Sequence, residues 1–294
     1  MKIRQHRYNI RKDNAIILAS GGTLGIIWHL KKLDELRNCS EVSLEETSFI
    51  NGTSAGAVAG LVFASDLDLQ ETITQLVKFE FDRRNKDDRK LPNMKKNSFK
   101  ENYILKKSFE NKKFNIQPII LSFLGEGGED IEVYRELLEE NIRESWPTVD
   151  LNISVYDIES SRRLIKNKDN CKSGIDSALM SCKFPGLFKL EGRYIDGGIS
   201  KSYEPKNIYK PHIKKIVVLH PLVNLHRIYY NNLYTFLLSI YGKILKIKFK
   251  YIRILAMLLK KEFLLVAPSK KEYSALIGGG FMDIVKVDEI IKKM

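Results

Sequence analysis

The sequence predicts a single α/β domain over residues 1–294, with a central, mostly parallel sheet flanked by helices. Three observations predict it. Residues 15–36 and 48–65 each read as strand, glycine-bearing turn and helix, and two such units in succession make a right-handed βαβ arrangement. Residues 15–19 and 216–219 are short unbroken apolar runs, the pattern of fully buried strands. No internal repeat, low-complexity tract or Pro/Ser-rich linker divides the chain.

Taken in order, a basic arm of residues 1–14 leads into the strand at 15–19, which ends in Ser20-Gly21-Gly22-Thr23-Leu24-Gly25. Ile26, Ile27, Leu30, Leu33 and Leu36 then form a helical stripe. A glycine loop opening a helix cradles a phosphate, offers N–H donors to an oxyanion, or simply turns the chain. The Walker Gly-Lys-Ser/Thr and the three-glycine dinucleotide spacing are both missing, which favours the oxyanion role. The second unit turns through Gly52-Thr53-Ser54-Ala55-Gly56 into an Ala/Gly-rich helix. A serine on such an elbow is pushed out of the sheet, and the helix start beside it suits a forming oxyanion, although the same letters also fit a plain helix-entry turn. Residues 82–113 carry twelve Lys/Arg against five acids and read as a charged lid or surface excursion. Residues 114–145 read as helical with a break at 125–128, residues 151–156 as a strand, and 175–182 as a short helix of small residues. A β-like step ends in Asp196-Gly197-Gly198, where the glycines leave the carboxylate open to a partner, or form a simple Asp-Gly turn.

Between the last two strands, at 216–219 and 263–268, lies a basic helical elaboration over residues 228–261. It holds seven basic residues and no acid. Leu233, Leu237, Ile240, Ile244, Ile247, Tyr251, Leu255 and Leu258 fall near one helical face, with Lys243, Lys246, Lys250 and Arg253 opposite or beside it. That pattern fits docking on an anionic membrane surface and equally a core-packed helix with a solvated basic back. Residues 281–294 read as a closing helix.

Composition narrows the class. A net charge of +13 points to an anionic partner. Interleaved lysines and tyrosines come without a nucleic-acid recognition motif, so no specific nucleic acid is expected. Cys39, Cys171 and Cys182 lack disulfide or zinc spacing, and the five histidines lack ligand spacing, so neither metal nor cofactor is expected. No apolar stretch approaches a bilayer span. The expectation is a cytoplasmic protein, soluble or peripherally bound to membrane.

The glycine loop at 20–25, Gly52-Thr53-Ser54-Ala55-Gly56 and Asp196-Gly197-Gly198, with residues 181–188 (Ser-Cys-Lys-Phe-Pro-Gly-Leu-Phe) upstream of the aspartate, together resemble the patatin-like phospholipases, strongly over residues 15–200. The resemblance implies a three-layer sandwich and a lipid acyl hydrolase of phospholipase A type, using a catalytic dyad of Ser54 and Asp196 without histidine or metal. It implies an oxyanion hole of Gly21, Gly22, Thr23 and Ala55, and a phospholipid or related acyl-lipid substrate. The family loop reads Gly-Gly-Gly-x-Arg/Lys-Gly, so Ser20 replaces its first glycine and Leu24 its cation. Two other readings stand beside it: a Ser-His-Asp esterase or thioesterase with His220 as base, and an inactive module that docks on anionic membrane.

Overall fold

The computed structural model describes residues 12–86, 127, 129–185, 187–205, 207–223 and 233–277. The elements are β1 (Asn14–Leu18), α1 (Gly22–Asn38), β2 (Thr47–Thr53), α2 (Ala55–Ala64), α3 (Leu69–Lys86), α4 (Arg135–Asn141), β3 (Asp150–Asp157), β4 (Arg162–Lys166), α5 (Gly174–Cys182), β5 (Tyr194–Asp196), β6 (Lys215–Leu219), α6 (Leu233–Leu258), β7 (Glu262–Val266) and α7 (Lys270–Ile277). Of the charged segment 82–113, residues 82–86 close α3 and the remainder lies outside the described residues, as do the N-terminal arm through residue 11 and the expected helix at 281–294.

The sheet runs β4-β3-β2-β1-β6-β7. β1, β2, β3, β6 and β7 are parallel, and β4 closes one edge antiparallel to β3. The central strands are apolar on both faces because helices cover both. Ile16, Leu18, Ile50, Leu151, Ile153, Val217 and Leu219 meet the layer that contains α1, α2 and α5. The alternate positions Ala15, Ile17, Phe49, Ile216 and Val218 meet Leu245, Phe249 and Ala256 of α6 on the opposite face. A mostly parallel sheet between two helical layers is the expected architecture.

Helix α2 is apolar around most of its circumference and is buried almost throughout, as such a helix must be. Its small residues let it lie close enough to the sheet to bring the end of β1 and the end of β2 together. β4 and α7 have no counterpart among the elements expected from sequence. β4 is an edge strand with Arg162, Arg163 and Lys166 among five residues, and such charges protect an edge while erasing the apolar signature of a strand.

Candidate active site

Ser54 stands between β2 and α2 with φ 54° and ψ −122°, outside the ordinary regions for an L-residue and costing about 1–3 kcal/mol of strain. Tertiary contacts hold it there. The Ser54 N–H donates to Ser181 Oγ at 2.8 Å, and that hydroxyl donates to the Ser154 carbonyl at 2.6 Å. The elbow is thereby tied to both α5 and β3. A Cβ on Gly56 would lie 2.2 Å from the Leu18 carbonyl oxygen, and one on Gly52 would lie 2.6 Å from the Gly56 carbonyl oxygen, so only glycine lets the chain turn this tightly.

The placement of Asp196 follows from the sheet. Thr53, the last residue of β2, lies opposite Ser154 of β3, and beyond it β5 takes over the same edge with Asp196 opposite Val155. Ser54 leaves the sheet at the seam where Asp196 arrives, close enough for its hydroxyl to act on the Asp196 carboxylate. Asp196 Oδ1 accepts the Gly198 N–H at 2.6 Å. That second glycine is crowded: a Cβ on Gly198 would stand 2.3 Å from Ser20 Oγ.

That contact links the first glycine loop to the aspartate turn. The Ser20 N–H donates to the Ser202 carbonyl at 2.7 Å, Gly22 has φ 65°, and Gly25 packs toward Ala55 at the start of α2. The first-turn N–H groups of α1, including those of Gly22 and Thr23, and that of Ala55 in α2 have no acceptor within their own helices. Both helix starts open at the carboxyl edge of the sheet. Leu24 is buried in the apolar core, so the position where the family carries a cation serves packing here.

Arg163 of β4 is a site residue that sequence reasoning misses. Its guanidinium donates to Thr53 Oγ1 at 3.0 Å, Ser154 Oγ at 2.6 Å and the Tyr203 carbonyl at 2.8 Å, and pairs with Glu204 at 3.4 Å. It binds the end of β2 and the middle of β3 beside the seam, and its charge acts on Asp196. A lone arginine in a short polar stretch carries no sequence signal for this role. Ser181 likewise looks like one more small residue of α5 until the fold sets it under Ser54.

Burial pushes the Asp196 carboxyl up to about 6, against the opposing pull of the Ser54 hydroxyl, the Gly198 N–H and Arg163. The carboxylate is therefore a stronger proton acceptor than an exposed one. Burial together with the Asp196 charge raises the Cys182 thiol, which stays protonated. His220 is oriented elsewhere. Its Nδ1 accepts the Leu222 N–H at 3.2 Å, so Nε2 carries the proton and donates to Ser202 Oγ at 2.8 Å. Burial lowers it to about 3, and it stays neutral. The imidazole considered as a base thus has both nitrogens engaged away from Ser54. Lys243, Lys246, Lys250 and Arg253 lie exposed on α6, in the layer across the sheet from α1 and α2.

Fold and site define an α/β sandwich that presents an elbow serine against a buried carboxylate at the carboxyl edge of a parallel sheet. The chain belongs to the patatin-like phospholipase family, whose sequence pattern matches residues 16–203. Among solved structures it is similar to VipD from Legionella pneumophila, at 18% identity over 73% of this chain and 52% of that one, with a TM-score of 0.36. It is also similar to the type III effector protein ExoU, at 14% identity over 88% of this chain and 48% of that one, with a TM-score of 0.38. The chain thus spans about half the length of these two proteins. No curated protein matches it.

Proposed function

We propose that the chain is a lipid acyl hydrolase of phospholipase A type, which cleaves carboxylic esters of membrane phospholipids or related acyl lipids through a dyad of Ser54 and Asp196. The observation that carries the reading is the strained Ser54 set beside a buried carboxylate whose proton affinity is raised. Ser54 Oγ attacks the ester carbonyl while its proton passes to Asp196. The N–H groups at Gly21, Gly22, Thr23 and Ala55 receive the oxyanion at the two helix starts. Asp196 then returns the proton to the leaving alcohol, leaving an acyl-enzyme. A water, deprotonated by the same carboxylate, attacks that ester and frees the fatty acid and Ser54. Backbone donors are indifferent to side-chain identity, so Ser20 and Leu24 leave this part of the machinery in place.

The test is fatty-acid release from mixed phosphatidylcholine and phosphatidylserine vesicles under a metal chelator, comparing the parent with Ser54→Ala, Asp196→Asn and His220→Gln. Release is expected from the parent and from His220→Gln, and to fall at least about a thousandfold in the other two, the order of loss when a nucleophile or its base is removed. Loss in a folded His220→Gln would instead support a triad. A parent inert on vesicles and on a small soluble ester would overturn the proposal.

A further inference from the structure

The helix α6 has two apolar faces, and the sheet covers only one. Leu245, Phe249 and Ala256 are buried against the sheet, with Ile252 packed beside them. Ile244, Ile247, Tyr251, Ile254, Leu255 and Leu258 are exposed, at 56% for Ile247, 69% for Tyr251 and 73% for Leu258. At about 100° per residue the centres of these two arcs lie about 140° apart on the helix. The stripe that the sequence pattern offered to the core is, over these residues, the face turned to solvent. Lys243 and Lys250 border one side of it, Lys248 borders the other, and all three are exposed. An apolar strip flanked by cations on both sides, in a segment without an acid, matches the layered chemistry of an anionic bilayer, where acyl chains lie beneath phosphate and carboxylate head groups.

We infer that the exposed face of α6 is a docking surface for anionic phospholipid bilayers. A second copy of the chain is disfavoured as occupant, because pairing this strip with itself would set lysine against lysine in a protein of net charge +13. Nucleic acid would meet aliphatic side chains, with Tyr251 as the one ring of the strip able to stack on a base. The helix lies along the surface instead of crossing it: among the described residues no helix is long and apolar enough to span a membrane. Its position ties docking to the candidate site. Phe249 packs on His220 with ring centroids 5.3 Å apart, at the carboxyl end of β6, whereas Lys261 just past the helix donates to the Lys210 carbonyl at the other end of the sheet. The helix therefore runs between the carboxyl edge, from which Ser54 projects, and the opposite edge of the sheet. Docking would bring that edge to the lipid surface.

The inference is independent of the chemistry proposed above, so it is measured in the full-length Ser54→Ala background, where turnover cannot alter the vesicles. Flotation with phosphatidylserine/phosphatidylcholine vesicles is expected to recover the protein, less so as salt rises. Replacing Lys243, Lys248 and Lys250 together by Gln should lower partitioning about a hundredfold, at roughly fivefold per cation. Replacing Ile247 and Leu258 by Ser should lower it at least about tenfold, with circular dichroism and thermal midpoint unchanged. Equal binding to pure phosphatidylcholine, undiminished binding by both sets of variants, or no binding by the parent would overturn the inference. So would a dimer in sedimentation velocity that the Ser substitutions convert to monomer.

Discussion

Asp196→Asn should abolish the proposed activity and yet stabilise the folded chain, by an amount that depends on pH in a calculable way. Asp196 is 2% exposed, and burial raises its carboxyl from the ordinary 3.8 to about 6. Because the folded value lies above the unfolded one, folding is favoured by protonation: the contribution is full below pH 3.8 and is lost as pH rises through 6. At pH 8 the carboxylate is ionised in both states, and holding it in the protein costs about 3 kcal/mol, from about 1.4 kcal/mol per tenfold step in proton affinity. The uncharged amide of the variant would carry no such dependence. The difference in unfolding free energy, variant minus parent, should therefore grow by about 2.4 kcal/mol between about pH 4 and pH 8, mostly below pH 6. Any fixed offset from fitting an amide beside Gly198 is the same at every pH, and the other titrating groups cancel in the difference. Urea unfolding followed by the fluorescence of Trp28 and Trp146 across that range measures it. A difference that is flat, or that falls with pH, would mean that Asp196 is solvated or fully compensated by Arg163, and would remove the electrostatic basis for its role as a base.

Two further outcomes follow from the same contacts. If Asp196 must be ionised to take the serine proton, kcat/KM should fall about tenfold per pH unit below about 6, and Arg163→Met, which removes a cation that lowers Asp196, should move that acid limb to higher pH; an arginine acting only as a strand clamp would reduce activity and leave the limb where it is. Gly198→Ala and Gly56→Ala should both lower the thermal midpoint, but adding Ser20→Gly should restore part of the loss only for Gly198, because its obstacle is the Ser20 side chain whereas that of Gly56 is the Leu18 backbone carbonyl.

The parts of the site that the sequence announces are those written in local backbone geometry. A residue at φ 54° between two close approaches needs Gly-x-Ser-x-Gly, and a carboxylate that caps its own turn needs Asp-Gly-Gly, so Ser54 and Asp196 carry their neighbours with them as a signature. The layers are legible for a similar reason, since strands covered on both faces lose their alternation and become short apolar runs. What stays hidden acts across long separations. Arg163 reaches Thr53 110 residues away, and Ser181 reaches Ser54 127 residues away. Neither role alters the letters beside the residue that performs it.

Helix α6 shows the converse limit. Its period is plain in the sequence, but a period gives only the angles between residues and says nothing about which arc the protein covers. Two apolar arcs separated by lysines are compatible with either orientation, and the one adopted is fixed by the other side of the interface, where Phe249 fits between Tyr203 and His220 at 4.8 and 5.3 Å. That packing also explains His220. Its place at the end of a strand after Ser54 and Asp196 has the chain order of a triad, yet its ring serves as a wall for Phe249 and a donor to Ser202. Three polar residues in the right order do not make a triad: the hydrogen bonds of His220 run to Ser202 and Leu222, which leaves its ring to brace the helix that we propose meets the membrane.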